Sequence, residues 1–287
     1  MTLQADIEKY LIKNKEDAFT LARDFQAAHD LILYGESHVG KERKARFFAK
    51  LINARHVQYH ASEAFLNIQS FGDKVEKYLE GKITKSGLPL LVRGLSAILD
   101  AIKRDVQHRG LVFAGTKLKG LSRRNEGIYA NFKSSYNLHI KTGRFSNTHK
   151  GHFHIGADHG SRLPIVGASK TTTQRLIADG FNCGIVRILT EGYQEHESED
   201  TTFKYGGKEH VIKGEITRYY EISKVKPLSG GEESIFELLP ILRKVGGGNA
   251  FGADLQIKGN PFFKIKPAEA VGSTSYAQFY DKLIYLP

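Results

Sequence analysis

Leu31-Ile32-Leu33-Tyr34-Gly35-Glu36-Ser37-His38 is the stretch whose reading decides the fold. Four apolar residues in succession make a strand buried on both faces, because a half-exposed strand alternates apolar with polar. Gly35 closes the run, and a carboxylate and an imidazole follow at once. The same pattern recurs downstream. The run 57–61 leads to Ser62-Glu63, and Leu111-Val112-Phe113-Ala114 leads to Gly115-Thr116-Lys117. Phe153-His154-Ile155 leads to Gly156-Ala157-Asp158-His159-Gly160, and 184–189 forms a fifth apolar run. Between them lie stretches with apolar residues at helical spacing. These are 41–54, 71–107 (with 88–106 its clearest helix and Pro89 near the start), 124–136, and Thr172–Ala178, stopped at Gly180. Upstream, 4–28 reads as one helix on Ile7, Leu11, Ala18, Leu21 and Phe25. Strand and helix in alternation predict an α/β fold, a mostly parallel central sheet with helices on both faces.

Residues 192–226 break that alternation. They are polar, and Lys204-Tyr205-Gly206-Gly207-Lys208 stands between two short alternating runs, so a β-hairpin insertion or flap is expected there with Gly206-Gly207 as its turn. A helix over 231–245 is stopped by Gly246-Gly247-Gly248, 249–275 is loop-rich, and Leu283-Ile284-Tyr285-Leu286 makes a last strand. There is no internal repeat and no low-complexity linker, so the 287 residues, 40% hydrophobic, read as a single domain over 1–287. No apolar run approaches the length of a membrane span, and the first residues lack the basic and apolar regions of a secretory signal. A single cysteine, Cys183, excludes an internal disulfide and lies in an apolar run, as a core residue would. A cytoplasmic location is the expectation.

The formal charge is +11, and residues 101–150 hold six Lys and five Arg against Asp105 and Glu126. Such a surface attracts anions. No nucleic-acid-binding module accompanies it. A small-molecule or peptide substrate, with an anionic one suiting the charge, is therefore expected ahead of nucleic acid.

In an open parallel sheet functional groups gather beyond the carboxyl ends of the strands. Four polar residues stand there: Glu36, His38, Glu63 and His159. Each is costly to bury alone, so convergence in one cleft is the economical arrangement. A histidine can move a proton at neutral pH, and a carboxylate beside it orients the ring and stabilises its charged form. Two His with two Glu equally suit a Zn, Mn or Fe site. The alternative for each His taken singly is a hydrogen-bonded strand-end residue. His149, His152 and His154 precede His159; strand alternation puts His152 and His154 on one face and Phe153 and Ile155 on the other. Asp158 points away from His159 if that segment is extended. Gly246-Gly247-Gly248 lacks the Lys-Ser/Thr of a phosphate loop, and no Gly-x-Ser-x-Gly occurs.

These residues together resemble a known group. Gly35-Glu36-Ser37-His38, Glu63 after the second strand, Arg124-Asn125-Glu126-Gly127-Ile128 opening a helix after the third, and Gly156-Ala157-Asp158-His159 after the fourth are similar in order and spacing to the erythromycin esterase-like, ChaN-like and Tiki-like superfamily. The ending Phe279-Tyr280-Asp281-Lys282-Leu283-Ile284-Tyr285 is similar to the esterase-like close. The chain departs in having no Trp and in its 192–226 insertion. The resemblance implies divided chemistry: macrolide lactone hydrolysis with a His activating water, metal-dependent peptidase activity, or haem binding. Related domains also occur within large bacterial toxins.

Two expectations follow. The first is a hydrolase of an ester, lactone or amide bond. In its metal-free form His38 is the water-activating base, Glu63 orients or charges it, His159 serves the leaving group or oxyanion, and Glu36 and Arg124 position the substrate. In its metal-assisted form Glu36, His38, Glu63 and His159 are ligands to a divalent metal. The second is a haem or small-ligand binding protein without catalysis, in which Tyr34, Tyr59 or a cleft histidine ligates iron.

Overall fold

The computed structural model describes residues 2–54, 56–104, 110–167, 170–197, 201–205, 208–212, 216–221, 223–229 and 234–287. In chain order these form α1 (Leu3–Asn14), β1 (Glu16–Asp17), α2 (Ala18–Ala27), β2 (Leu31–Glu36), α3 (Lys41–Asn53), β3 (Tyr59–Leu66), α4 (Gln69–Leu79), α5 (Leu90–Arg93), α6 (Ser96–Arg104), β4 (Gly110–Gly115), α7 (Leu121–Lys141), β5 (Gly151–Gly156), α8 (Ala157–Gly160), α9 (Thr172–Ala178) and β6 (Cys183–Thr190). Then follow β7 (Tyr193–Glu197), β8 (Thr201–Tyr205), β9 (Lys208–Ile212), β10 (Ile216–Tyr220), β11 (Lys224–Pro227), β12 (Phe236–Glu237), α10 (Leu238–Gly246), β13 (Phe251–Asp254), β14 (Ile265–Pro267), α11 (Tyr276–Phe279) and β15 (Lys282–Leu286).

Eight strands form one sheet in the order β1-β13-β15-β6-β2-β5-β3-β4. The run from β15 to β4 is parallel, while β13 pairs antiparallel with β15 and with β1. This is the expected α/β class. The continuous apolar runs take the middle of the sheet: every residue of β2, β5 and β6 is buried. Side chains alternate across it. Ile32 and Tyr34 join the core beneath α2, α3, α4 and α6, whereas Leu31 and Leu33 join Phe132, Phe153 and Ile155 beneath α7 and α9. A third core holds α1, α10 and α11 against Ile185 and Leu283.

The order of strands explains where a site can form. From β2 the chain runs to β3 and β4 on one side, returns to fill the gap with β5, and only then crosses to β6. The crevice beyond the carboxyl ends of β2, β5 and β6 is thus the switch point of the sheet. Register keeps those ends level, with Glu36 opposite Gly156 and Gly35 opposite Arg187.

Several local expectations are corrected. The 4–28 helix is two helices, because Lys15 is extended and Asp17 caps α2 by accepting the Thr20 N–H. Between them β1 joins the sheet edge against β13. The 88–106 helix is split at Gly94 into α5 and α6, and its end falls outside the described residues. The 231–245 helix begins only at Leu238 in its described part. The 249–275 region is loop-rich as expected and also holds β13 and β14, four and three residues long and too short to show a period. The 192–226 segment pairs β7 with β10 and β8 with β9, both antiparallel, and the Gly206-Gly207 turn lies outside the described residues. Its last strand, β11, instead belongs to a three-stranded sheet with β12 and β14. Among the described residues no helix is long and apolar enough to cross a membrane.

Gly151 opens β5 where Tyr59 of β3 lies flat across it; a Cβ there would stand 2.2 Å from the Tyr59 ring. That ring is pinned by Phe145 and Tyr136, with centroids at 4.9 Å and 5.6 Å. Gly151→Ala is expected to lower stability by about 2 kcal/mol through overpacking, read as a lower urea midpoint at unchanged slope.

Candidate functional site

Glu36 ends β2 on the face covered by α3, the face that also carries His154 of β5. Its carboxylate is buried and surrounded by donors. Lys44 of α3, itself fully buried, places Nζ 2.5 Å from Oε2, and the backbone N–H of His38 donates to the same oxygen at 2.5 Å. The His38 ring reaches Oε1 through Nδ1 at 2.7 Å, and His154 Nε2 stands 3.5 Å from that oxygen. Burial alone would raise the pKa of Glu36; Lys44, His154 and His38 outweigh it and hold the carboxyl well below its ordinary 4.5.

His38 returns onto Glu36 because its backbone turns left-handed, φ +57°, the one non-glycine residue with positive φ among those described. Such a conformation costs of order 1 kcal/mol and is kept where the surroundings over-determine it. The ring lies between two carboxylates, with Nε2 3.4 Å from Glu63 Oε1. Burial opposes its charge, but the hydrogen bond and charge of Glu36, with Glu63 behind, raise its pKa above 6.5.

Glu63 reaches His38 through an irregularity in β3. Between Ser62 and Leu66 the register with β4 slips, so the two strands advance unequally from Ser62↔Phe113 to Leu66↔Gly115. Gly115 is what admits this: a Cβ there would lie 2.3 Å from the Glu63 carbonyl oxygen. Both Glu63 carboxylate oxygens are buried and accept no hydrogen bond among the described residues. Their charge is met at longer range by His38 and by Arg124 NH2, 4.0 Å from Oε2.

His159 sits in α8, a single turn following β5. Its Nδ1 is 2.5 Å from Asn125 Oδ1 on α7, next to Arg124. With the proton on Nδ1 donated to that oxygen, the neutral ring carries its lone pair on Nε2. Burial lowers the pKa of His159 below 6.5, and the Arg124 charge adds to the effect, over the opposing pull of Glu63. Gly156 lets the groups meet: a Cβ there would come within 3.2 Å of Glu63 Oε1 and 3.3 Å of the His159 ring.

Glu36, His38, Arg124 and His159 line one cavity of about 340 Å³, with Glu63 just behind the wall. The five expected site residues are therefore brought together. Asp158 lines it too, because α8 is a helical turn and not the extended segment that would have turned Asp158 away. Tyr34 and Tyr59 do not line it; both are buried in the core, against Phe48 and Phe145 respectively. His152 shares the His154 face, packed on Phe48, as alternation required. Cys183 is buried, and burial pushes its thiol up to about 12, so it is no nucleophile.

Two residues escaped the reading of the sequence. Lys44 falls on the buried stripe of α3 with Phe48 and Ile52, and a lysine on an apolar stripe is the signal it left. Arg187 is the lone charge among the eight residues of β6. Its NH2 donates to Ser37 Oγ at 2.7 Å and Glu221 Oε1 at 2.9 Å, and its NH1 to the Gly35 carbonyl at 3.1 Å, so it braces the turn between Glu36 and His38. Glu221, which accepts the Thr190 N–H at 3.2 Å, completes that brace from the end of the inserted strands.

No family model and no curated protein matches this chain. Two solved structures share its fold along nearly their whole lengths. A Bacillus cereus protein is 12% identical over 99% of this chain and 97% of its own, with a TM-score of 0.56. A succinoglycan biosynthesis protein is 13% identical over 99% of this chain and 96% of its own, also at 0.56. At such identities the likeness is one of fold.

The depressed pKa of Glu36 has a consequence for stability. Its contribution is complete above the unfolded-chain value of about 4.3 and is lost as pH falls through the lower folded value. Glu36→Gln, which leaves the Lys44 ammonium buried and unpaired, is expected to cost about 3 kcal/mol at pH 7 and to flatten the decline in stability below pH ~4. Urea titrations at a series of pH values check both effects.

Proposed function

We propose that this chain is a hydrolase of an ester, lactone or amide bond, working through His38 and His159 without a resident metal. The observation that carries the reading is that two imidazoles on one cavity wall are biased in opposite directions, His38 towards its charged form and His159 towards its neutral form. Groups whose surroundings push their pKa values apart are matched to acid and base roles. The bias exchanges the roles expected from the sequence. Neutral His159, its Nδ1–H held by Asn125, takes a proton from water on Nε2 as the oxygen attacks the carbonyl carbon. The Arg124 guanidinium, about two-fifths exposed at the cavity, faces the developing oxyanion. His38 in its charged form gives its Nε2 proton to the departing oxygen or nitrogen, and solvent returns a proton from His159 to His38. Glu36 and Glu63 act behind His38, orienting the ring and stabilising its charge.

A divalent metal fits the donors poorly. Glu36, His38 and Glu63 do offer three ligand atoms within 4.8 Å of one another. Glu36, however, already takes Lys44, the His38 N–H and the His38 ring, and His159 does not join that group of ligand atoms. The haem reading loses its tyrosine ligands, since Tyr34 and Tyr59 are core residues. The ordered motifs around Glu36, Glu63, Arg124 and His159, on a fold shared with two solved structures, support membership of the erythromycin esterase-like, ChaN-like and Tiki-like superfamily. A small-molecule or peptide substrate, anionic where it meets Arg124, suits the cavity, and we infer the cytoplasm as the compartment from the single buried cysteine.

The test compares an alkyl ester with an activated aryl ester, whose leaving group needs no acid. His38→Gln is expected to slow the alkyl ester about 10²-fold or more and to spare the aryl ester; His159→Gln slows both. The pH profile is expected to be bell-shaped. The acid limb, as His159 gains a proton, lies below 6.5 and the alkaline limb, as His38 loses one, lies above it, with the optimum between the two. Near-wild-type rates in both variants, or activity abolished by a chelator, would refute the reading.

A further inference from the structure

The charge arrangement behind His38 raises a separate question: what balances two buried carboxylates at the end of this sheet. Glu36 and Glu63 lie on either side of His38, and their ligand atoms with those of the ring fall within 4.8 Å of one another. Two carboxylates and one imidazole are a donor set for Zn, Mn or Fe. Yet the structure places a cation of its own against that set. Lys44 is fully buried, three residues before Phe47 and four before Phe48 on the packed side of α3, and its Nζ is 2.5 Å from Glu36 Oε2. A buried ammonium is tolerated only when paired, and Glu36 is the partner that tolerates it. Arg124 stands 4.0 Å from Glu63, so each carboxylate faces a basic side chain from a helix, Lys44 from α3 and Arg124 from α7. A divalent ion on Glu36 would sit within a few ångströms of Nζ, beside a buried carboxylate and a fully buried ammonium, where like charges repel strongly.

We propose that Lys44 is the tethered countercation of this centre: it holds on Glu36 the place a divalent metal would take, so the wild-type site excludes metal, and removal of the ammonium turns Glu36, His38 and Glu63 into a divalent-cation site. The inference rests on the metal-free reading above, but its test reads metal and not turnover. Lys44 acts through Glu36 and is a positioning residue; the methylene stem keeps its packing in Lys44→Met, which removes only the charge.

Wild type, Lys44→Met and the double variant Lys44→Met/Glu36→Gln are incubated with Co²⁺, desalted and assayed by elemental analysis, visible absorbance and thermal melting. Wild type is expected to retain none, with an unchanged melting temperature. Lys44→Met is expected to retain about one equivalent, with the d–d bands of nitrogen and oxygen ligation and a melting temperature that rises with Co²⁺. The double variant loses both effects. Stoichiometric metal in the wild type, as purified or after incubation, overturns the proposal. So does Lys44→Met that takes up no Co²⁺, whether it is folded or stays unfolded in the presence of the ion. A wild type that binds no metal and hydrolyses nothing would overturn the hydrolase reading and leave this one standing.

Discussion

The pairing of a buried lysine with a buried glutamate at the end of the central strand is the interaction on which the site depends. Neither Lys44 nor Glu36 is tolerable in that environment without the other, since a lone buried charge is far more costly than a matched pair. Once paired, they tie α3 to the tip of β2, and Glu36 is kept ionised at any moderate pH. An ionised Glu36 then holds His38 twice, through the ring and through the backbone N–H, and biases the imidazole towards charge. The left-handed turn at His38 is stable because these contacts over-determine it, and Arg187 braces the same turn from the next strand by way of Ser37.

Backbone geometry does as much as side-chain chemistry to assemble the centre. Glu63 would not reach His38 from a regular strand; a register slip opposite Gly115 delivers it. Gly156 leaves open the space in which Glu63, His38 and His159 approach one another. A side chain at Gly115 would collide with the backbone that forms the site, and one at Gly156 would crowd Glu63 and His159. The opposite pKa bias of the two imidazoles follows from this geometry: at His38 two carboxylates outweigh burial, whereas at His159 burial, helped by the Arg124 charge, prevails over the pull of Glu63.

Two solved structures share the architecture at 12% and 13% identity, which is enough to place the strands and too little to carry an activity across. The chemical reading therefore rests on the cavity and its electrostatics, and it differs from the sequence expectation in giving the basic role to His159.

The sequence by itself determined the sheet and the membership of the site. Short continuous apolar runs alternating with helical stretches read as central strands of a parallel sheet, and polar residues immediately beyond such strands lie at one end of it; Glu36, His38, Glu63 and His159 were legible for that reason, and Arg124 through the ordered motifs. The small elements were not legible, because two to four residues, as in β1 and β13, carry no period. Lys44 and Arg187 left only the faint mark of a charge in an apolar pattern, and a pattern cannot name the partner that makes such burial tolerable. Only the tertiary structure decided which carboxylate Lys44 neutralises, which imidazole is driven towards charge and which towards neutrality. Those outcomes depend on distances of a few ångströms between residues far apart in the chain, where Coulomb energy changes steeply with separation and with the loss of water.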